Sequence, residues 1–304
     1  MPLHSTNKSD LHVDPTAIAE KYIDEIKVEI GRLKARIKVV GLIASNDKPS
    51  LAYARATQQK FDAIGIDYDL RHIKRLDLEN EIVSLNADPQ VNGIFIYFPV
   101  FHNEQDSYLR NLVDYQKDIE AGSQYWTRKL YANDRLALSH DPSRKALLPC
   151  TPLAIVKMLA ELGLYNDTVD RPLTGKTVTI FNRSEVIGRP LAVMLSNDGA
   201  RVYSFDLNGP LLFRDAKPEE LDISRAAALK ESDIIITGVP SPQFAQVHCH
   251  EIKQSSVCLN FSSLPNFADD IEEHSGIYIP KVGPMTVAMC MRNTIRLYTN
   301  FHRA

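Results

Sequence analysis

The amino-acid sequence predicts an α/β protein of two domains. Three observations carry this. The chain has 304 residues, long for one hydrophobic core and comfortable for two. Short β-branched apolar runs alternate with stretches of helical period, the pattern of a parallel sheet with helices on its faces. That alternation breaks after about residue 120 and restarts near residue 176.

The first helix opens at Asp14-Pro15, an N-cap residue followed by a first-turn proline. Ile18, Tyr22, Ile26, Ile30 and Leu33 then recur every three or four residues as one apolar stripe. Arg36 to Ala44 is rich in β-branched residues and reads as a strand. Ser50 to Ile64 reads as a helix, Ile66 to His72 as a strand, Leu76 to Leu85 as a helix, and Val91 to Phe98 as a strand stopped by Pro99. Gly122 to Pro149 has no clear period. Thr151-Pro152 begins a helix reaching about Leu164, and 165–174 is polar and turn-rich, a boundary loop. The second half has strands at Lys176–Phe181, Arg201–Phe205, Asp233–Thr237 and Val257–Phe261, with a helix over Gly188–Asn197. An apolar-periodic helix runs from Met285 to the end.

Lys plus Arg total 35 and Asp plus Glu total 38, so the net charge is −3. No long basic run marks a nucleic-acid partner. The four cysteines, Cys150, Cys249, Cys258 and Cys290, are too few and too scattered for a disulfide framework, which suits a reducing compartment. The most apolar run, Gly93 to Phe101, is too short to span a bilayer. Met1 to Pro15 lacks an apolar core and reads as a short flexible lead rather than a targeting peptide. The expectation is a soluble cytoplasmic protein without membrane partners.

Thr177 to Pro190 reads as a strand, a turn and a helix start. The N–H groups and positive dipole end of that helix suit a pyrophosphate. Gly188 lets backbone approach closely, and Arg183 adds positive charge. The Gly-x-Gly-x-x-Gly fingerprint is absent, so these residues alone are equally compatible with a plain strand–turn–helix. Asp206 ends the next strand, 24 residues beyond Asn182. Dinucleotide-binding domains carry there an acidic residue that bonds the ribose hydroxyls. A solvated turn aspartate is the alternative.

Several segments together resemble the methylenetetrahydrofolate dehydrogenase/cyclohydrolase family. They are Pro149-Cys150-Thr151-Pro152, Lys117-Asp118-Ile119-Glu120, Asn182-Arg183-Ser184 with Gly188 and Pro190, and Gly283 through Met289. They occur in the family's order, and the resemblance spans about residues 15–300. The stretch Leu148 to Lys157 is most similar to the fungal monofunctional NAD-dependent branch. The resemblance implies an N-terminal α/β folate-binding domain, 1–150, completed by a C-terminal helix, 288–304. It implies a Rossmann-type NAD-binding domain over 151–287, with a cleft between the two. It also implies NAD as cofactor, a tetrahydrofolate substrate with or without a polyglutamate tail, a homodimer, and a place in one-carbon metabolism that supplies purine biosynthesis.

The residues carried over from the family are Tyr53, Cys150 and Glu120 for catalysis, and Tyr53, Tyr97, Glu120 and Pro284 for substrate binding. For the cofactor they are Asn182, Arg183, Ser184, Glu185, Gly188, Asp206, Leu207, Gly238 and Val239. Tyr53 stacks on the aminobenzoyl ring in this reading, with core packing as the alternative. Glu120 bonds the paired pterin N–H donors, with a surface carboxylate as the alternative. Cys150 either touches substrate or cofactor or is a small buried hydrophobe; it is not proposed as a nucleophile. After Thr237, backbone groups at Gly238 and Val239 either meet the nicotinamide or form a simple turn.

Four positions depart from the bifunctional pattern. Thr57 stands where a lysine belongs, Tyr97 replaces a glutamine, Ala121 replaces a glycine, and Asn182 replaces the first glycine of the turn. Hydride transfer from the methylene bridge needs no protein proton, whereas hydrolysis of the methenyl product needs a proton carrier. A chain with Tyr53 but Thr57 is expected to keep the first reaction and lose the second. Lys60, three residues on, is a weaker candidate for the missing lysine than for a solvated charge. His248-Cys249-His250 has no second ligand cluster at a standard spacing, so no metal is expected. The alternatives are a bifunctional dehydrogenase/cyclohydrolase and a non-catalytic NAD-responsive regulator on the same fold.

Overall fold

Ile37–Ile43 is apolar on both faces, and a strand of that kind must be covered on both sides. In the computed structural model, which describes residues 13–166 and 168–303, it is the central strand of a small parallel sheet. The lead segment 1–12 lies outside the described residues.

The chain divides into two compact units. One comprises residues 20–150 with 287–304. After helix α1 (Pro15–Leu33) come β1 (Ile37–Ile43), α2 (Lys48–Ala63), β2 (Ile66–His72), α3 (Leu78–Ala87) and β3 (Gly93–Ile96). The sheet order is β2-β1-β3, all parallel. Helices α2 and α3 are the two crossovers between parallel strands. Leu78, Ile82 and Leu85 of α3 bury against Val40, Leu42, Ile94 and Ile96. An isolated parallel bridge, Ile94 to Asp118, brings the Lys117–Glu120 segment alongside β3.

Helix α4 (Glu104–Leu112) precedes the 122–149 stretch expected to lack a period, and that stretch holds α5 (Gln124–Tyr131) and a hairpin of β4 (Leu136–Leu138) and β5 (Asp141–Lys145). These elements are too short to show a period. Helix α5 is held mainly by Trp126 and Leu130, both buried one turn apart.

The other unit comprises 13–19 of the described residues with 151–286, so the start of α1 groups here rather than with the N-terminal domain expected for it. Its elements are α6 (Cys150–Glu161), β6 (Thr177–Phe181), α7 (Gly188–Asn197), β7 (Arg201–Asp206), β8 (Gly209–Arg214), β9 (Lys217–Glu220) and α8 (Arg225–Glu231). They continue with β10 (Ile234–Thr237), β11 (Val257–Asn260), α9 (Ile271–His274), β12 (Ile277–Ile279) and α10 (Gly283–Leu297), whose later residues belong to the first unit. The sheet order is β12-β11-β10-β6-β7-β8-β9. Five strands run parallel; β8 and β9 are an antiparallel extension. The direction of winding reverses between β6 and β10, the switch point where such sheets bind ligands. The β8–β9 hairpin was not legible in the sequence, because β9 (Lys-Pro-Glu-Glu) is polar, fully exposed and at the sheet edge. Among the described residues no helix is long and apolar enough to cross a membrane.

Candidate active site

In the first unit, Asp47 caps α2 by accepting the Ser50 N–H at 2.8 Å, with a proline in the first turn. This start sets the face that carries Tyr53 and Thr57. Tyr53 is 44% exposed, and its ring meets Tyr97 edge-on at 6.1 Å. Thr57 is buried, and its hydroxyl donates back to the Tyr53 carbonyl at 2.9 Å. Tyr97, just beyond β3, shares a 2.8 Å hydrogen bond with the Tyr68 hydroxyl and lies 3.4 Å from the Ala54 carbonyl. The Tyr68 ring crosses β1 where Gly41 has no side chain; a Cβ there would overlap it. Burial pushes the Tyr97 hydroxyl up to about 12 and those of Tyr53 and Tyr68 upward as well. All three are neutral at physiological pH. They offer rings and hydroxyls, not bases.

The Lys117–Glu120 segment divides its work. The Ile94 N–H donates to the Lys117 carbonyl at 2.7 Å, fixing the segment beside β3. The Lys117 ammonium is buried and donates to the carbonyls of Leu85, Asn86 and Asp88 at 2.8, 2.9 and 2.6 Å. It closes the C-terminus of α3, where carbonyls lack intrahelical partners. Asp118 accepts the Ser123 N–H at 2.8 Å. Ala121 sits at φ +52°, in the left-handed region where the family glycine would be at ease.

The Glu120 carboxylate has no hydrogen-bond partner among the described residues. Burial and then the charge of Asp118 raise its carboxyl to about 8, against the opposing pull of Arg110. The charge of Glu120 adds to the upward push on the Tyr53 and Tyr97 hydroxyls.

Cys150 is buried. Its thiol donates to the Ile119 carbonyl at 3.2 Å, and its N–H to the Glu120 carbonyl at 3.3 Å. Burial drives the thiol well above its usual range, so it carries no thiolate for nucleophilic work. Asn293 of α10 donates to the carbonyls of Ile119 and Leu148, each at 3.0 Å, and to the Cys150 sulfur at 3.3 Å. Sequence reasoning missed Asn293; its only signal is a polar residue among the apolar positions of the last helix.

In the second unit, Asn182 ties the ends of β6 and β10 together. Its amide donates to the Gly238 carbonyl at 2.8 Å, and its Oδ1 accepts the Ser184 N–H and hydroxyl at 2.9 and 2.7 Å. The Ser184 hydroxyl faces the N–H groups of Ile187 and Gly188 at 3.3 and 3.4 Å, where α7 begins. A Cβ on Gly188 would overlap the Asn182 carbonyl, so the turn packs this tightly only with glycine. The residues at the switch point thus fit a dinucleotide: a glycine-dependent turn, the N-terminus of a ten-residue helix, and an acidic residue ending the next strand.

Arg183 departs from its expected part. Its guanidinium is engaged by both oxygens of Asp206 and by the carbonyls of Ser204 and Gly209, the latter two at 2.9 Å. Its charge therefore pairs with Asp206 rather than standing free in the turn. The Val239 N–H and carbonyl are both bonded by Asn266, at 2.8 and 3.0 Å, so this backbone is internally satisfied. Glu185 is exposed and bonds Arg189 at 2.8 Å. Leu207 is fully exposed at the β7–β8 turn, and Pro284 is half-buried in the first turn of α10.

Two family models match the chain. The catalytic domain of tetrahydrofolate dehydrogenase/cyclohydrolase matches residues 13–120, and the NAD(P)-binding domain of the same family matches residues 149–263. The methylenetetrahydrofolate dehydrogenase [NAD(+)] of Schizosaccharomyces pombe is 40% identical over 313 residues, covering 97% of each chain. The chain belongs to the tetrahydrofolate dehydrogenase/cyclohydrolase family. The like-named enzyme of Saccharomyces cerevisiae is 42% identical over 277 residues, 86% of each chain. A solved structure of an NAD-dependent 5,10-methylenetetrahydrofolate dehydrogenase from S. cerevisiae superposes with a TM-score of 0.90 at 38% identity, covering 96% of this chain and 98% of that one. The two-domain α/β architecture is thus that of the family.

Proposed function

We propose that the protein oxidises 5,10-methylenetetrahydrofolate to 5,10-methenyltetrahydrofolate, with NAD as hydride acceptor, and does not hydrolyse the product. The observation that carries this is the edge-on pair of Tyr53 and Tyr97, with a buried Thr57 bonded one turn beyond Tyr53.

The exposed ring of Tyr53 stacks on the aminobenzoyl group. Glu120, when ionised, accepts the paired N–H donors of the pterin, which its unpaired carboxylate suits. Cys150 and Pro284 line the substrate. The substrate's own nitrogen lone pairs drive the hydride out and stabilise the methenyl cation, so the protein's task is to orient and to exclude water. NAD, when bound at the α7 N-terminus, supplies the electron sink for that hydride. Asn182, Ser184 and Gly188 shape its turn, Asp206 meets the ribose, and Glu185, Leu207, Gly238 and Val239 flank it. Hydrolysis requires a proton carrier near the bridge; the neutral tyrosines and Thr57 provide none at neutral pH, and Glu120 is taken up by the pterin donors. The protein works as a cytoplasmic homodimer in the one-carbon supply to purine biosynthesis, a reading that rests on the family. A regulator without catalysis would have no use for Tyr53 and Glu120.

The test is absorbance at the reduced-nicotinamide band with methylenetetrahydrofolate and either NAD or NADP, followed by decay of the methenyl band. Reduction of NAD with methenyl decay at the buffer rate is expected. No reduction with either nucleotide, or decay as fast as reduction, would overturn the proposal.

A further inference from the structure

The pair His248 and His250 lacks a further ligand in the sequence, but the fold supplies one from a distance. Asp270 lies 20 residues beyond His250, just before α9, and its Oδ2 stands 3.5 Å from His248 Nδ1. One ligand atom from each of His248, His250 and Asp270 falls within 4.8 Å of the others. We propose that these three residues form a binding site for a divalent transition metal of the zinc class.

The chemistry of the set matches that class. Two imidazoles and one carboxylate are donors for zinc and its neighbours, not for magnesium or calcium, which take oxygen ligands. Bonds of about 2.0–2.2 Å in a tetrahedral site set ligand atoms about 3.3–3.5 Å apart. The His248–Asp270 separation already has that value. His250 must close by about an ångström, which its exposed ring achieves by side-chain rotation alone.

The frame behind the ligands is built. The Cys249 N–H holds Asp270 Oδ1 at 3.2 Å, leaving Oδ2 toward His248. The backbone N–H of His248 donates to Glu251 at 2.9 Å, and Arg225 braces the same carboxylate at 3.4 Å. The two histidine rings lie nearly parallel, 5.5 Å apart and 28° from coplanar. Water or a small ligand completes the coordination, because both rings face solvent. The site borders a cavity of about 640 Å³ lined by Ser241, Pro242, Phe244, His248, His250 and Leu264 among others. A metal held there joins the 247–251 loop to Asp270. The inference does not depend on the dehydrogenase reading.

Calorimetric titration of the full chain with Zn²⁺, and of cobalt by its visible absorption bands, tests it. One ion per chain is expected. His248→Ala and His250→Ala should each weaken binding at least tenfold, and Asp270→Asn, which keeps an oxygen for the Cys249 N–H, should also weaken it. Cys249→Ser should leave affinity within about twofold. Absence of saturable binding, or binding unchanged in the His248→Ala/His250→Ala double variant, overturns the site. Loss of binding in Cys249→Ser alone would overturn this ligand set in favour of a thiolate one.

Discussion

Two side chains carry consequences that their neighbours decide. A free carboxylate at Asp206 would repel an NADP 2′-phosphate. At about 4 Å and an effective dielectric of about 20, that repulsion is roughly 4 kcal/mol. In the structure Arg183, whose side chain is only 10% exposed, neutralises much of that field. Removing the carboxylate therefore does two things: it takes away the ribose acceptor and it frees a guanidinium suited to phosphate. Asp206→Ser should lower kcat/KM for NAD and raise it for NADP, moving the ratio by on the order of a hundredfold, equal to about 2.7 kcal/mol. An unchanged ratio in steady-state kinetics would make Asp206 a turn residue only.

Glu120 gives a pH signature. Its carboxyl is raised to about 8 in the folded protein from an ordinary 4.5. Free enzyme below pH 8 holds it protonated, where it cannot accept both pterin donors. The profile of kcat/KM for methylenetetrahydrofolate should rise through about pH 8 to a plateau, and Glu120→Gln should flatten it while lowering its height. For stability, a raised folded-state value favours folding fully below about 4.5, and the advantage is lost as pH rises through about 8. Glu120→Gln should thus reduce the fall in stability between those limits. Denaturation midpoints that decline equally in both proteins would contradict this.

At the scale of elements, the proposed lack of hydrolysis rests on helix α2. Thr57 is 2% exposed, and its hydroxyl turns back to the Tyr53 carbonyl, so the position leaves no open space for a lysine side chain. Thr57→Lys should therefore remain at the buffer rate of methenyl decay. It should also destabilise the fold by about 2–4 kcal/mol, the cost of burying an ammonium at this position. Hydrolysis above the blank would show that the helix yields.

Helix α3 ends on a buried cation rather than on a glycine. Lys117→Met removes three charge-assisted hydrogen bonds from its last carbonyls. A loss of about 2–4 kcal/mol in urea unfolding is expected. A loss under about 0.5 kcal/mol would mean water replaces the ammonium at no cost. Within the Lys117–Glu120 segment the structure gives Lys117 and Asp118 to support and leaves the Glu120 carboxylate unbonded.

For the whole molecule, the chemistry proposed calls for no Lewis acid, because the substrate nitrogens themselves expel the hydride. Exhaustive chelation should leave the NAD-linked rate within about 20% of its starting value, even as it strips a zinc ion from His248, His250 and Asp270. Activity lost on chelation and restored by a divalent ion would tie that ion to catalysis.

The long parallel strands and amphipathic helices were legible at this scale, since β1, β6 and α1 carry their burial in their own period. The short elements of the 122–149 stretch and of the sheet edge were not. Helix α5, the β4–β5 hairpin and the β8–β9 edge owe their form to partners elsewhere in the chain, and a polar edge strand has no apolar alternation to read. By itself the sequence determined the alternating α/β plan and the glycine at position 188, which follow from local period and from the chemistry of single side chains; Tyr53 and Glu120 came only with the family resemblance. Only the tertiary structure decided that Arg183 is bound to Asp206, that Asn293 secures Cys150, and that Asp270 joins two histidines. Each is a contact across 20 or more residues, made when strands and helices settle into register, and no local pattern records it.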